Sequence, residues 1–292
     1  MTSPPSSPLR VALIGSGRVG TAVASLLATS GHEIVGVTSR TPESARRAGE
    51  LLGTSVFSPD NPAEADLYLI GTPADAVGPT TTQLAAKIGL DGRVCVHFAG
   101  VTGIEPLEPA RRKGAATCAL HPVQACPDVE SAIRNLPGST WGVTCSEGSL
   151  EWTRDLIEKD LRGRVTVVAE SDRPAWHAAA VMTSNGLAAL LASSEHLLAG
   201  IDVSEPESVL GPLAQGTLDN ALAGGGGAMT LTGPVVRGEV ETVRTHIEGL
   251  RRLSEEHVAT YRSVTRMILD AGQKAGRVDR SIYESMIEEL EQ

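Results

Sequence analysis

Two histidines and one amide are the groups in this 292-residue chain best suited to exchange a proton and hold a polar substrate. His121 follows the apolar run from Ala115 to Leu120 and precedes Pro122. A proline has no backbone N–H with which to continue a ladder, so the imidazole is expected at a strand tip, facing a cleft. His177, Val181, Ser184 and Asn185 fall at offsets of four, seven and eight, which puts them on one face of a helix. Imidazole titrates nearest neutrality, which suits proton exchange with a substrate oxygen or nitrogen, and Asn185 would orient that substrate. Each residue also has a plainer use: His121 could hold its loop by hydrogen bonds, and His177 and Asn185 could satisfy each other or the backbone. The lysines are Lys87, Lys113, Lys159 and Lys274, so none lies between 160 and 273, and histidine is the acid or base available there.

The element that would position these groups begins near the amino end. Val11 to Ile14 reads as a strand buried on both faces, and the small apolar run after Gly20 reads as a helix. Between them stands Gly15-Ser16-Gly17-Arg18-Val19-Gly20, a strand-to-helix turn with the spacing of a dinucleotide-binding fingerprint. Gly15 permits the tight turn, Gly17 admits a diphosphate close to the backbone, and Gly20 lets the helix pack on the strand with its amide end toward the anion. The next strand, Glu33 to Thr38, ends in Ser39-Arg40 rather than in an acid. A hydroxyl and a guanidinium suit a 2′-phosphate, so NADP(H) is expected over NAD(H), unless Arg40 is only a solvated charge opening the following helix.

Short apolar strands alternate with helical stretches from Leu9 to about Ala169, the pattern of a doubly wound parallel sheet. Thr41-Pro42-Glu43 opens the second helix with a hydroxyl cap, a proline and an acid. Leu67 to Gly71 reads as the fourth strand and leads into Thr72 and Pro73, which would line the cofactor cleft; Thr72 could donate to a ribose or phosphate, or merely cap a helix. Val94 to Phe98 is the fifth strand, with His97 in the sheet and Gly100 beyond it leaving a ligand room. Ala115 to Leu120 is the sixth, and two more, Ser139 to Thr144 and Val165 to Ala169, flank a helix from Ser149 to Leu161.

The alternation stops at Glu170, and everything after it reads as helix, starting with a long one from about Pro174 to Ala199 that is too polar to span a membrane. A second helix starts at a capping box, Ser204-Glu205-Pro206-Glu207, and runs to about Leu222. Gly224 to Gly227 is followed by a stretch from Ala228 to Glu239 in which Gly233-Pro234 breaks any helix, and whose Thr232 and Arg237 could bind an acidic substrate, although Arg237 could equally pair with a neighbouring acid. Helices over Val240 to Leu253, Glu255 to Ala275 and from Asp279 complete an all-helical domain. Its alanine-rich faces could bury against a second subunit, giving a homodimer. The expected plan is α/β, an N-terminal doubly wound parallel Rossmann sheet followed by an all-α C-terminal domain. It comprises a disordered lead-in over 1–8, an NADP-binding domain over 9–170 and a helical domain over 171–292.

A net charge of −10, no basic tract and only eight aromatic residues argue against nucleic-acid binding and point to a small-molecule partner. The first eight residues have neither the charge nor the apolar core of a signal peptide, so cytoplasmic residence is expected. Cys95, Cys118, Cys126 and Cys145 are widely spaced, as reduced thiols are, and no metal is expected.

Taken together, the glycine fingerprint, Leu120-His121-Pro122-Val123-Gln124, Trp176-His177-Ala178-Ala179-Ala180-Val181 with Ser184-Asn185, and Leu231 to Glu239 resemble a known family over nearly the whole chain. It is that of Rossmann-like proteins whose C-terminal half is a domain of unknown function. In plan the family is similar to the 6-phosphogluconate dehydrogenase-like group, which includes pyrroline-5-carboxylate reductase, ketopantoate reductase and prephenate dehydrogenase. The resemblance implies an NADP(H)-dependent oxidoreductase acting on a small carboxylate, with reduction of 2-dehydropantoate to pantoate the most concrete case. Ketopantoate reductases carry a catalytic lysine on the long helix, where this chain has His177 and Asn185. His121-Pro122 instead resembles the His-Pro motif of prephenate dehydrogenases. Imine reduction, prephenate-type oxidation and cofactor sensing without turnover therefore stand as alternatives.

Overall fold

The computed structural model describes residues 8–292, so the lead-in expected over 1–8 lies, apart from Pro8, outside the described residues. Two compact units divide between Ser184 and Asn185. The first is built on a seven-stranded sheet in the order β2-β1-β3-β4-β5-β6-β7. Its strands are β1 (Arg10–Ile14), β2 (Glu33–Thr38), β3 (Leu67–Ile70), β4 (Val94–His97), β5 (Ala116–Pro122), β6 (Thr140–Cys145) and β7 (Arg164–Val167). Between them run α1 (Arg18–Thr29), α2 (Pro42–Leu52), α3 (Ala74–Lys87), the short α4 (Glu108–Arg111), α5 (Val129–Asn135) and α6 (Leu150–Asp155), and α7 (Arg173–Val181) follows β7.

Consecutive strand residues point to opposite faces, and here both faces are apolar. Leu67, Leu69, Val94 and Val96 join Leu27 of α1 and Leu156 in one buried cluster. Tyr68, Ile70 and Cys95 join Val77 and Leu84 of α3 and Leu107 in another. That is why the strands read as unbroken apolar runs rather than alternating ones. Thr41 caps α2 as its sequence suggests, with its hydroxyl accepting from the Ser44 N–H at 3.3 Å.

Three details depart from the sequence pattern. Leu67–Ile70 is the third strand rather than the fourth, because the stretch after α2 contributes only isolated bridges, Val37 to Val56 and Ser58 to Asn61. β6 runs antiparallel to β5, pairing Cys118 with Cys145, His121 with Gly142 and Pro122 with Trp141, so the sheet is mostly and not wholly parallel. Pro122 consequently does not stop the strand: it occupies the final ladder position of β5, and the Val123 N–H still reaches the Thr140 carbonyl at 2.9 Å.

The long helix is also interrupted. α7 passes into a π-helical turn, Met182–Gly186, before α8 (Leu187–Ala199). A π turn bonds i to i+5 and so takes up an extra residue. The offsets of seven and eight from His177 therefore do not mark one α-helical stripe.

The second unit comprises α8, α9 (Pro206–Ala223), α10 (Pro234–Arg237), α11 (Val240–Arg251), α12 (Glu255–Lys274) and α13 (Arg280–Glu291). The Ser204 box does not cap α9; Glu205 stands at the N-cap and its side chain caps no backbone N–H, Pro206 taking the first helical position. Its core gathers Val235, Val243, Ile247, Val258, Leu269 and Met286, closed by a buried Glu289 carboxylate that Arg244 holds at 2.6 Å. None of the residues of α8 or α9 is buried.

Candidate active site

In this sheet the chain turns outward from β1 in both directions, to β2 on one side and β3 on the other, which makes the carboxyl ends of β1 and β3 a switch point where ligands bind. The glycine turn stands there. Gly15 has φ +89°, a conformation side chains rarely adopt, and a Cβ on Gly17 would lie 2.4 Å from the carbonyl oxygen of Gly71, the residue just after β3. A Cβ on Gly20 would meet the Gly71 Cα at 3.0 Å, so the three glycines let α1 lie tight against both strands. α1 begins with no side-chain cap, which leaves its first amides free for an anion.

A cavity of about 620 Å³ opens beside the turn, lined by Gly15 to Gly17, Ser39, Arg40, Thr41, Thr72 and Pro73. The Ser16 hydroxyl donates to that of Ser39 at 2.9 Å. Arg40 is exposed and forms no ion pair among the described residues. Thr72 presents a buried hydroxyl with no hydrogen-bond partner. Arg18 points elsewhere, donating to the Pro127 carbonyl at 3.0 Å, and Val19 packs on the core. An uncapped helix end, a turn with no room for side chains and an orphaned hydroxyl fit a pyrophosphate, and Ser39 with Arg40 fit a phosphate on the ribose beyond it.

The histidines assemble farther along the same sheet edge. Register places Ile14, Ile70, His97 and Ala119 side by side, so His121 projects just past the level at which the glycine turn begins. Its imidazole lies 5.0 Å, centroid to centroid, from that of His177 on α7, nearly perpendicular at 86°. Both rings close on Gly100: a Cβ there would lie 2.8 Å from His121 Nε2 and 2.2 Å from His177 Nδ1. His177 Nδ1 is buried without a partner. The structure thus brings His121, His177 and Gly100 together, as two catalytic candidates and one substrate-binding candidate. Ser184 closes the first unit exposed to solvent; Asn185, Thr232 and Arg237 lie exposed on the second, and Arg237 pairs with Glu239 at 2.6 Å.

Sequence reasoning gave no part in the site to the residues that hold this arrangement. Arg173, fully buried at the start of α7, donates to the carbonyls of Ala99 at 2.8 Å, Thr102 at 3.1 Å and Gly142 at 2.9 Å. Those three dipoles tie α7 to β6 and to the loop after β4, and burial pulls the guanidinium pKa below its ordinary value. The Trp176 indole donates to His121 Nδ1 at 3.1 Å. Glu170 accepts from the Ile104 N–H at 3.0 Å and steadies the same loop. His97 accepts from the Ala99 N–H on Nδ1 at 3.1 Å and meets the Gly103 carbonyl through Nε2 at 2.6 Å. Burial pushes His97 down to about 4, and burial with the nearby His177 and Arg173 does the same for His121. The signal available was the arginine four residues before His177 and the tryptophan one before it, on a helix that begins where the strands stop.

Comparison with known proteins agrees with this architecture. Residues 3–122 match the Rossmann-like domain and residues 139–268 match the domain of unknown function DUF2520. The chain is thus a two-domain protein with an N-terminal Rossmann sheet. The two matches together place a Rossmann-like domain and DUF2520 in succession along this chain. No curated protein matches it. Among solved structures, a Bacteroides fragilis protein provisionally described as an NADP oxidoreductase is 22% identical with a TM-score of 0.74, over 89% of this chain and 97% of that one. A Thermotoga maritima protein is 21% identical at TM-score 0.69, over 91% and 99%. The imine reductase of Myxococcus stipitatus, solved with NADP+, is 19% identical at TM-score 0.61, over 95% and 99%. At these identities the likeness is one of fold.

Proposed function

We propose that this chain is an NADP(H)-dependent oxidoreductase acting on a small carboxylate substrate, with reduction of 2-dehydropantoate to pantoate as its specific reaction. The observation that carries the reading is the glycine turn at the switch point, uncapped and free of side chains, beside a cavity that also holds Ser39, Arg40 and the unpartnered Thr72 hydroxyl. The same fold holds NADP+ in the Myxococcus enzyme, which supports the choice of ligand. Bound there, the cofactor supplies a hydride. The chain's part is to hold the pyrophosphate on the first amides of α1, the 2′-phosphate on Ser39 and Arg40, and the substrate near the two imidazoles. Asn185, Ser184, Thr232 and Arg237 are the residues proposed from sequence to hold the substrate's polar groups. On this reading the protein serves pantothenate biosynthesis in the cytoplasm. It works as a homodimer through α8 and α9, whose Leu213 and Leu222 are 67% and 78% exposed.

The test is a fall in NADPH absorbance on adding 2-dehydropantoate, set against a panel of other keto acids and cyclic imines. Turnover confined to imines would replace the ketopantoate reading with imine reduction; tight NADPH binding without turnover on any of them would make the protein a sensor. Arg40→Asp should weaken NADPH binding at least about tenfold while sparing NADH. Equal effects on the two coenzymes would remove the 2′-phosphate assignment.

A further inference from the structure

Resting on the oxidoreductase reading above, we infer that Trp176 is a positioning residue that fixes His121 as a neutral hydrogen-bond donor to a substrate's carbonyl oxygen, so that the site takes carbonyl compounds in preference to iminium ions.

The argument begins with the indole, whose N–H can donate and cannot accept. Because it donates to His121 Nδ1 at 3.1 Å, that nitrogen must offer a lone pair, and in a neutral imidazole the proton then sits on Nε2. The seat of the indole is built by an absent side chain. Gly142 stands directly opposite His121 in the β5–β6 ladder, and a Cβ there would come within 2.5 Å of the indole nitrogen and 2.6 Å of the ring. Arg173 grips the Gly142 carbonyl at 2.9 Å, one helical turn before Trp176 on α7. Antiparallel pairing of β6, a glycine and a buried arginine thus converge on one hydrogen bond.

On its other side His121 forms no hydrogen bond with any described residue, and Gly100 keeps the space near Nε2 clear of a side chain. The titratable and charged groups facing the ring are His177 and Arg173, both on α7; β6 and the loop after β4 bring Gly142 and Gly100. Among the described residues no carboxylate acts on the ring, and protonation at Nδ1 would break the indole bond.

The chemical consequence follows from lone pairs. A carbonyl oxygen accepts a bond from Nε2–H, and accepts it more strongly as negative charge builds on it during reduction. An iminium nitrogen has no lone pair to accept with. In the reaction the carbonyl carbon gains a hydride with its electron pair from NADPH, the C=O π pair moves onto oxygen, and that oxygen takes a proton drawn through water from bulk solvent. The sum is ketone, NADPH and a proton giving alcohol and NADP+. His121 keeps its own proton, since losing it would leave an imidazolate.

The experiment pairs a spectroscopic readout with a kinetic one on the full-length protein. In ¹⁵N-histidine NMR, His121 of the parent should show the Nε2–H tautomer and no titration between about pH 5.5 and 8. Trp176→Phe keeps the ring and removes the N–H, so the His121 pKa should rise from about 4 toward its ordinary value. Gly142→Ala, which displaces the indole without deleting it, should do the same. A parent ring in the Nδ1–H form, or a ring that titrates alike in parent and Trp176→Phe, overturns the assignment, and the parent spectrum decides even if a variant does not fold. In kinetics, Trp176→Phe should lower kcat on a keto acid about tenfold or more with a smaller change in KM, and leave reduction of an N-alkylated cyclic iminium unchanged. Equal losses on both overturn the carbonyl preference. Absence of turnover with either class would count against the oxidoreductase reading, while the tautomer is still decided by NMR.

Discussion

Acid should unfold the sheet unit through two histidines, and the size of the effect can be worked from their surroundings. In His97 and His121 the Nδ1 atom faces an N–H donor, from Ala99 and from Trp176, so neither ring can take a second proton without losing that bond. Burial pushes both down to about 4. The unfolded chain binds these protons below about pH 6.5, whereas the folded chain does not until about pH 4. Their effect on stability is therefore absent above pH 6.5 and grows as pH falls from 6.5 to 4. At pH 5 each ring costs about 2 kcal/mol, so the pair costs about 4, a large share of a typical stability of about 5–15 kcal/mol. Trp141, Trp152 and Trp176 all lie before Ser184, so tryptophan fluorescence reports on the sheet unit. With a urea slope of about 3 kcal/mol per molar, the pair should lower the unfolding midpoint by roughly 1.3 M between pH 7 and pH 5. His97→Gln retains a donor toward the Gly103 carbonyl and His121→Asn retains an acceptor for the indole. The double variant should lose that share of the pH dependence, while carboxylate contributions common to both proteins cancel. Identical midpoint shifts in parent and double variant would refute the reasoning.

Two further outcomes test other parts of the structure. Arg173→Met should destabilise the sheet unit by about 3 kcal/mol or more, because it strips partners from three backbone carbonyls at once; a loss under about 1 kcal/mol in the same fluorescence assay would show that water replaces the guanidinium. Leu213→Glu with Leu222→Glu should convert the proposed dimer to a monomer in sedimentation, with the helicity of the second unit retained, and an unchanged sedimentation coefficient would remove α9 from the proposed interface.

Most of the cofactor cleft was legible in the sequence because its chemistry is local. A strand, a turn and a helix adjacent in the chain make the proposed pyrophosphate seat, and Ser39-Arg40 follows a strand whose end is marked by its apolar run. Both candidate histidines could be picked out by residue type, and the switch from alternating strands to helices marked a sheet followed by a helical region. What could not be read was direction and phase. Nothing in Thr140 to Cys145 says that it pairs antiparallel to β5, yet that choice alone puts Gly142 opposite His121 and opens a seat for the Trp176 indole. Nor does the long helix announce its π turn, which ends the stripe that offsets from His177 had suggested. Side-chain spacing along one element is set by covalent geometry, so the chain carries it. Which nitrogen of His121 holds its proton depends on a donor 55 residues away, and only folding brings the two together.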